Sequence, residues 1–207
     1  AGVRFEYGVE VAGIRFLGDM VTGVESTRGE LNADTYLLAA ASASPRLAAP
    51  LGLKLPIYPV KGYSATITAT SWSRPLSLPL VDFNKKFVIT PLGTRLRIAG
   101  TAEFTGFDTR PNPSRSAAMV QQALALVPEL AEQVDRQRIE HWTGLRPMTC
   151  DGPPVLGETP YRNLYINAGH GPLGWTLAAG SSRLVADRMA GRAAEIPLTG
   201  LDYGRFA

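Results

Sequence analysis

Three glycines and one arginine offer most of the chemistry in this sequence. Gly169, Gly171 and Gly174 stand at G-x-G-x-x-G spacing within Ala168-Gly169-His170-Gly171-Pro172-Leu173-Gly174-Trp175-Thr176. They separate an apolar run at residues 164–168 from residues 173–190, a small-residue segment that reads as a helix closed by Gly191. Backbone that carries no Cβ can lie close against a flat ligand. Near Trp175 and Thr176, the first turn of the helix offers free N–H groups and partial positive charge. An electron-rich ring that gains negative charge on reduction would be stabilised there. The spacing also fits a plainer role. Ala178, Ala179, Gly180, Ser181 and Ser182 would let the helix lie close to a sheet, so the glycines would serve packing only. A complete dinucleotide-binding unit is disfavoured. It needs a parallel return strand and an acid about 20 residues on, whereas Gly191 is followed by Glu195-Ile196-Pro197 and a short remainder.

The arginine is Arg146, alone in the Gly- and Pro-rich stretch of residues 144–157, which reads as a loop of specific turns. Pro147 pushes it toward an extended conformation. A guanidinium on a rigid loop suits a carboxylate, because its planar fork binds bidentately. The alternative is a structural arginine paired with Asp151 or another acid.

Bulk properties narrow the field. The chain has 207 residues, 45% of them hydrophobic and 19% charged, which fits one large globular domain or two small ones. The net charge is +3 and the basic residues are scattered, so nucleic acid is an unsuitable partner. No apolar run is long enough for a spanning helix, and no signal-peptide pattern opens the chain. The single cysteine, Cys150, excludes an internal disulfide and fits a reducing compartment. The opening Ala1-Gly2-Val3-Arg4-Phe5 lacks an initiator methionine and begins on a glycine suited to a helix C-cap. The expectation is a piece of a longer chain.

The elements that must position these residues follow from periodicity and punctuation. Residues 9–16 and 20–26 flank Gly18-Asp19, a hairpin signal, and residues 33–41 read as a buried strand. Ser44-Pro45 starts a helix through about residue 49. Residues 57–70, 77–82, 86–90 and 95–101 are β-like, which predicts a mixed or antiparallel sheet. Ser114 suits the N-cap of a helix through Val127, with Ala117, Val120, Leu124 and Val127 on its apolar face. Residues 138–142 read as a strand and residues 196–207 as a tail.

Three segments in this order resemble a known family: Tyr58-Pro59-Val60-Lys61-Gly62-Tyr63-Ser64, residues 144–157, and residues 168–176. Along nearly all its length the chain is similar to the C-terminal part of FAD-dependent D-amino-acid dehydrogenases of the small-subunit type, within the glycine oxidase and D-amino-acid oxidase group. The resemblance implies an α+β (mixed α/β) fold. Residues 1–53 and 143–207 would form part of an FAD-binding domain, and residues 54–142 a substrate-binding domain with a mixed, mainly antiparallel sheet and helices. It implies FAD as cofactor of the intact protein and none bound to this chain alone.

Val11 would approach the adenine, and Ala40 and Ala41 would end a strand beside the cofactor. Gly169, His170, Gly171, Leu173, Gly174, Trp175 and Thr176 would seat the flavin edge. Arg146 would grip the substrate carboxylate, and Tyr58, Tyr63 and His170 would line the substrate cavity, unless at least one of the tyrosines serves sheet packing and His170 only holds the loop. Ala41 departs from the family, where glycine is common, and Pro172 and Cys150 are unusual.

The implied reaction is oxidative deamination of D-amino acids, or of glycine, sarcosine or proline, with electrons passing to the respiratory chain. That would place the protein in the cytoplasm or peripherally on the inner face of the cell membrane. The alternative is a non-catalytic substrate-domain remnant that acts only in binding or self-association, for which exposed sheet edges would allow a homodimer.

Overall fold

The computed structural model describes residues 2–68, 76–132, 134–135 and 138–206. The chain divides into two compact units, one comprising Ala1–Tyr58 with Arg146–Ala207, the other Pro59–Leu145.

In the first unit, β1 (Val11–Leu17) and β2 (Met20–Ser26) form an antiparallel hairpin. Gly18 makes the turn with φ +61°, a conformation that needs no Cβ. β3 (Gly29–Leu31) extends this sheet beside β2. A second sheet has β11 (Leu164–Ala168) at its centre, antiparallel to β10 (Val155–Glu158) and parallel to β4 (Tyr36–Leu38). β4 is shorter than the predicted strand at residues 33–41. The backbone turns left-handed at Ala41 (φ +48°), and residues 41–43 form a 3-10 turn leading into α1 (Ser44–Ala48). Apolar side chains of both sheets make one core, including Val21, Leu38, Val155, Leu164 and Ile166, joined by Ile57. Asn163 stitches the sheets together: its Oδ1 accepts from Val21 N and its Nδ2 donates to Val21 O, both at 2.9 Å.

The C-terminal segment is not a tail. Leu201 O accepts from Leu156 N at 2.8 Å, Leu198 and Leu201 pack on Leu156, Leu184 and Val185, and Tyr203 and Phe206 cover the larger core. Arg205 closes the strap on Asp151 (2.8 Å) and on Pro153 O (2.7 Å). The short apolar stretches of residues 196–206 carry no periodicity, so only their burial shows their role.

In the second unit, five strands run in the order β6 (Leu80–Asp82), β7 (Phe87–Leu92), β8 (Arg95–Glu103), β5 (Ile57–Thr68), β9 (Glu140–Thr149). The ladders β6–β7, β7–β8 and β8–β5 are antiparallel. Residues 69–70 of the predicted first strand lie outside the described residues. The helix α2 (Pro113–Leu126) and the short α3 (Pro128–Ala131) follow β8, and Met119, Val120, Ala123, Leu124 and Leu130 join Tyr63, Ile67, Ile89 and Ile98 in the core.

Two local expectations are corrected here. The N-cap of α2 is Asn112, not Ser114. Its side chain accepts from the N–H groups of Ser114 (3.1 Å) and Arg115 (3.2 Å), and Pro113 takes the first helical position, where its missing N–H costs nothing. Val120, Leu124 and Val127 of the expected apolar face are buried, with Ser116, Met119 and Ala123 beside them, and Ala117 is exposed.

The larger correction concerns residues 144–157. Their first six residues continue β9, which runs unbroken from Glu140 to Thr149. Gly144 does not turn the chain. A Cβ there would strike the Trp142 ring at 2.1 Å, so this glycine makes room for an aromatic lying along the strand. Pro147 is tolerated because β9 is the terminal strand of its sheet. The true turn glycine is Gly152, with φ +101°. Among the described residues no helix is long and apolar enough to cross a membrane.

Candidate functional site

The end of β9 and the glycine loop form one compact piece of backbone in the first unit. Met148 and His170 are bridged antiparallel. A Cβ on Gly169 would stand 2.7 Å from Thr149 Cγ2, and one on Gly171 would stand 2.9 Å from Met148 Sδ. Both glycines also have left-handed backbone, φ +82° and +56°. Conformation therefore favours glycine at both positions and space requires it at Gly169, whereas the obstruction at Gly171 is the end of a flexible side chain. The third glycine differs: Gly174 opens α4 (Gly174–Met189) with ordinary helical φ −55°, and a Cβ there would meet nothing closer than 3.5 Å. The literal G-x-G-x-x-G spacing thus contains two glycines needed by the loop and one that is not.

The first half of α4 is open. Trp175 is 97% exposed, and Leu173, Leu177, Ala178, Ala179 and Gly180 are exposed as well. Burial begins at Ser181 and continues through Leu184, Val185 and Asp187. Of the small residues weighed for packing, Ser181 is buried, and Ala178, Ala179, Gly180 and Ser182 are exposed. No side chain caps the helix start, so its first-turn N–H groups keep their partial positive charge directed outward. Two buried polar atoms beside the loop, Asn167 Oδ1 and His170 Nε2, have no hydrogen-bond partner among the described residues. Burial holds the His170 imidazole below its ordinary pKa of 6.5, so the ring is neutral at pH 7.

Arg146 lies on β9 two residues before Met148, half-buried, and burial lowers its pKa from the ordinary guanidinium value. An arginine stays protonated at neutral pH despite such a shift. Asp151, the acid weighed as its structural partner, is engaged by Arg205, whose guanidinium lowers the carboxyl pKa.

The other expected cofactor positions gather elsewhere in the same unit. Val11, Ala39 and Ala40 line a concavity of about 300 Å³ together with Tyr36, Leu38 and Leu164. Ala41 follows directly in its left-handed conformation, which explains why glycine suits this position. Ala41→Gly is expected to stabilise the chain by about 0.5–1 kcal/mol, because it removes the Cβ clash. Ala40→Gly, at φ −90°, should destabilise it by a similar amount. Thermal unfolding of the two variants checks this: equal shifts of the same sign would mean that backbone strain at residue 41 is absent.

Tyr58 is exposed at the start of β5. Tyr63 is placed differently from the cavity-lining role the resemblance implied. It is 2% exposed in the core of the second unit, where its hydroxyl donates to Glu103 Oε2 at 2.5 Å and accepts from Asn112 N at 3.2 Å. Sequence reasoning passed over Lys61 and Glu103, which form a buried ion pair beside it at 2.7 Å. The available signal was Lys61 itself, a lysine within an otherwise apolar and β-branched run.

The family model for FAD dependent oxidoreductases matches residues 1–188. The D-amino acid dehydrogenase of Cereibacter sphaeroides is 47% identical over 206 residues, covering 100% of this chain and 47% of that protein. The D-amino acid dehydrogenase of Paramagnetospirillum magneticum is 45% identical over 205 residues, covering 99% and 48%. The crystal structure of glycine oxidase from Geobacillus kaustophilus superposes with TM-score 0.86 at 32% identity, covering 96% of this chain and 52% of that one. The chain spans about half the length of the curated relatives it matches.

Proposed function

The chain belongs to the FAD dependent oxidoreductase family, and we propose that it supplies the substrate clamp and the flavin-ring seat of an enzyme that oxidatively deaminates D-amino acids. One observation carries this reading: the strand bearing Arg146 ends in direct contact with the glycine loop, through the Met148–His170 bridge and the Thr149 side chain. A carboxylate clamp and a seat for a flat ring thereby share one rigid support. The relatives named D-amino acid dehydrogenase favour a D-amino acid as substrate over glycine, sarcosine or proline.

The residues fit the cofactor. Gly169 and Gly171 leave a cradle without side chains, the uncapped start of α4 at Gly174, Trp175 and Thr176 faces outward, and His170 Nε2 and Asn167 Oδ1 wait without partners. Val11, Ala40 and Ala41 would hold the far end. When bound, FAD accepts the two electrons and the hydrogen leaving the substrate Cα. Arg146 binds the carboxylate through both arms of its fork and so fixes which face of Cα is presented. The N–H groups of the first turn of α4 favour negative charge on whatever ring lies against them. Water hydrolyses the released imino acid to a 2-oxo acid and ammonia. The proposed electron acceptor belongs to the respiratory chain, at the inner face of the cell membrane.

The intact protein is expected to show a flavin absorption band and to convert D-alanine, but not L-alanine, into pyruvate and ammonia with a dye as electron acceptor. Equal turnover of the two enantiomers, or a colourless protein, would sink the reading.

A further inference from the structure

Lys61 has no part in the site described above, yet it is one of the most enclosed charges in the chain. It is 2% exposed within β5, its Nζ stands 2.7 Å from Glu103 Oε2, and it donates to Arg110 O at 3.0 Å. Tyr63 shares the same carboxylate oxygen, and Arg115 Nε lies 3.4 Å from the other one. Removing two charges from water is expensive, so a buried pair is weak evidence of a stabilising role and better evidence of a geometric one.

The backbone bends to build it. In the β5–β8 ladder Tyr63 faces Gly100 while Gly62 faces Ala102, which leaves Thr101 as an extra residue on β8. Thr101 has φ +49°, an unusual conformation for a β-branched side chain. Without this bulge Glu103 would project from the opposite face of the sheet, because one residue of slip inverts a strand. With it, Glu103 lies directly across from Lys61, on the face that also carries Tyr63.

The group holds the segment that follows β8. Lys61 takes the carbonyl of Arg110, and the Tyr63 hydroxyl takes the N–H of Asn112. Next to Arg110, the carbonyl of Thr109 accepts a hydrogen bond from the Thr143 hydroxyl. Thr143 stands in β9, three residues before Arg146. We propose that Lys61, Glu103 and Tyr63 are positioning residues that clamp residues 109–112, so that Thr109 anchors β9 at Thr143 and fixes how that strand presents Arg146. This rests on the reading that Arg146 receives the substrate carboxylate.

The test is steady-state kinetics of the flavin-loaded intact enzyme with D-alanine. Thr143→Val keeps the branched shape and removes the tether. It is expected to raise KM about tenfold while kcat stays within about twofold and the flavin spectrum is unchanged. Glu103→Gln should do the same, and the double variant should be no worse than the more affected single one, because both act through one link. An unchanged KM in Thr143→Val overturns the proposal, as does a fully additive double variant or a loss confined to kcat. If Glu103→Gln fails to fold, Thr143→Val decides alone. Arg146→Leu separates the two levels. A large KM effect there with Thr143→Val silent removes the clamp only, whereas an unchanged KM in Arg146→Leu removes the reading on which it rests.

Discussion

Arg146→Leu is expected to raise the KM for a D-amino acid by on the order of 10²–10³-fold in the flavin-loaded intact enzyme. Truncating one member of a desolvated, hydrogen-bonded charge pair costs about 2–5 kcal/mol, and each 1.4 kcal/mol is about tenfold. The half-buried setting of Arg146 puts its partner in the same poorly solvated place. A substrate carboxylate left there without a counter-charge bears a desolvation cost that water does not repay. Arg146→Lys should recover only part of the loss, since an ammonium is a point charge and cannot present two parallel N–H donors. Substrate titrations on the three proteins measure this directly. A lysine variant indistinguishable from wild type would mean that simple charge suffices, and an unaffected leucine variant would take Arg146 out of the site.

The second large effect concerns the loop. Gly169→Ala should destabilise the 207-residue chain by about 2–4 kcal/mol, combining left-handed backbone strain with a collision. The collision is with Thr149 Cγ2 at 2.7 Å, a stiff β-branched group, with Ile57 Cδ1 behind it at 3.3 Å. At this chain length that corresponds to a fall in Tm of roughly 5–15 °C. Gly171→Ala should cost less, because its obstruction is the end of the Met148 side chain, which can swing aside. Gly174→Ala should be tolerated, since its backbone is already helical and its surroundings are open. The graded series 169, 171, 174 is the measurement. Three equal losses would show that the glycines act as an undifferentiated motif, and no loss at 169 would show that the contact with Thr149 is not made. In the intact protein the same ranking is expected for retention of flavin.

Much of this was legible before any coordinates. The hairpin at Gly18-Asp19, the apolar run at residues 164–168 and the helix after it are encoded by neighbours in sequence, so period and punctuation suffice. The strand at residues 140–149 was misread because its glycine and proline look like turn residues. Gly144 is there for an indole and Pro147 for an edge, and neither reason is local. The cap of α2 was displaced by two residues because Asn112 and Ser114 are both good caps, and the choice depends on where Pro113 fits. Lys61 and Glu103 could not be paired in advance. They are 42 positions apart, and simple alternation puts Glu103 on the wrong face until the bulge at Thr101 is known.

By itself, the order of residues determined the kind of protein: a glycine loop between a strand and a helix, an arginine in a rigid extended setting, and a sheet-rich middle segment. Those properties reside in backbone preference and short-range spacing. Only the tertiary structure decided which glycines lack room for a Cβ, that Asp151 goes to Arg205, that Tyr63 is enclosed beside an ion pair, and that residues 198–206 strap the first unit. Each of these depends on what a distant part of the chain places alongside, and therefore on burial and contact distance, which spacing along the chain does not encode.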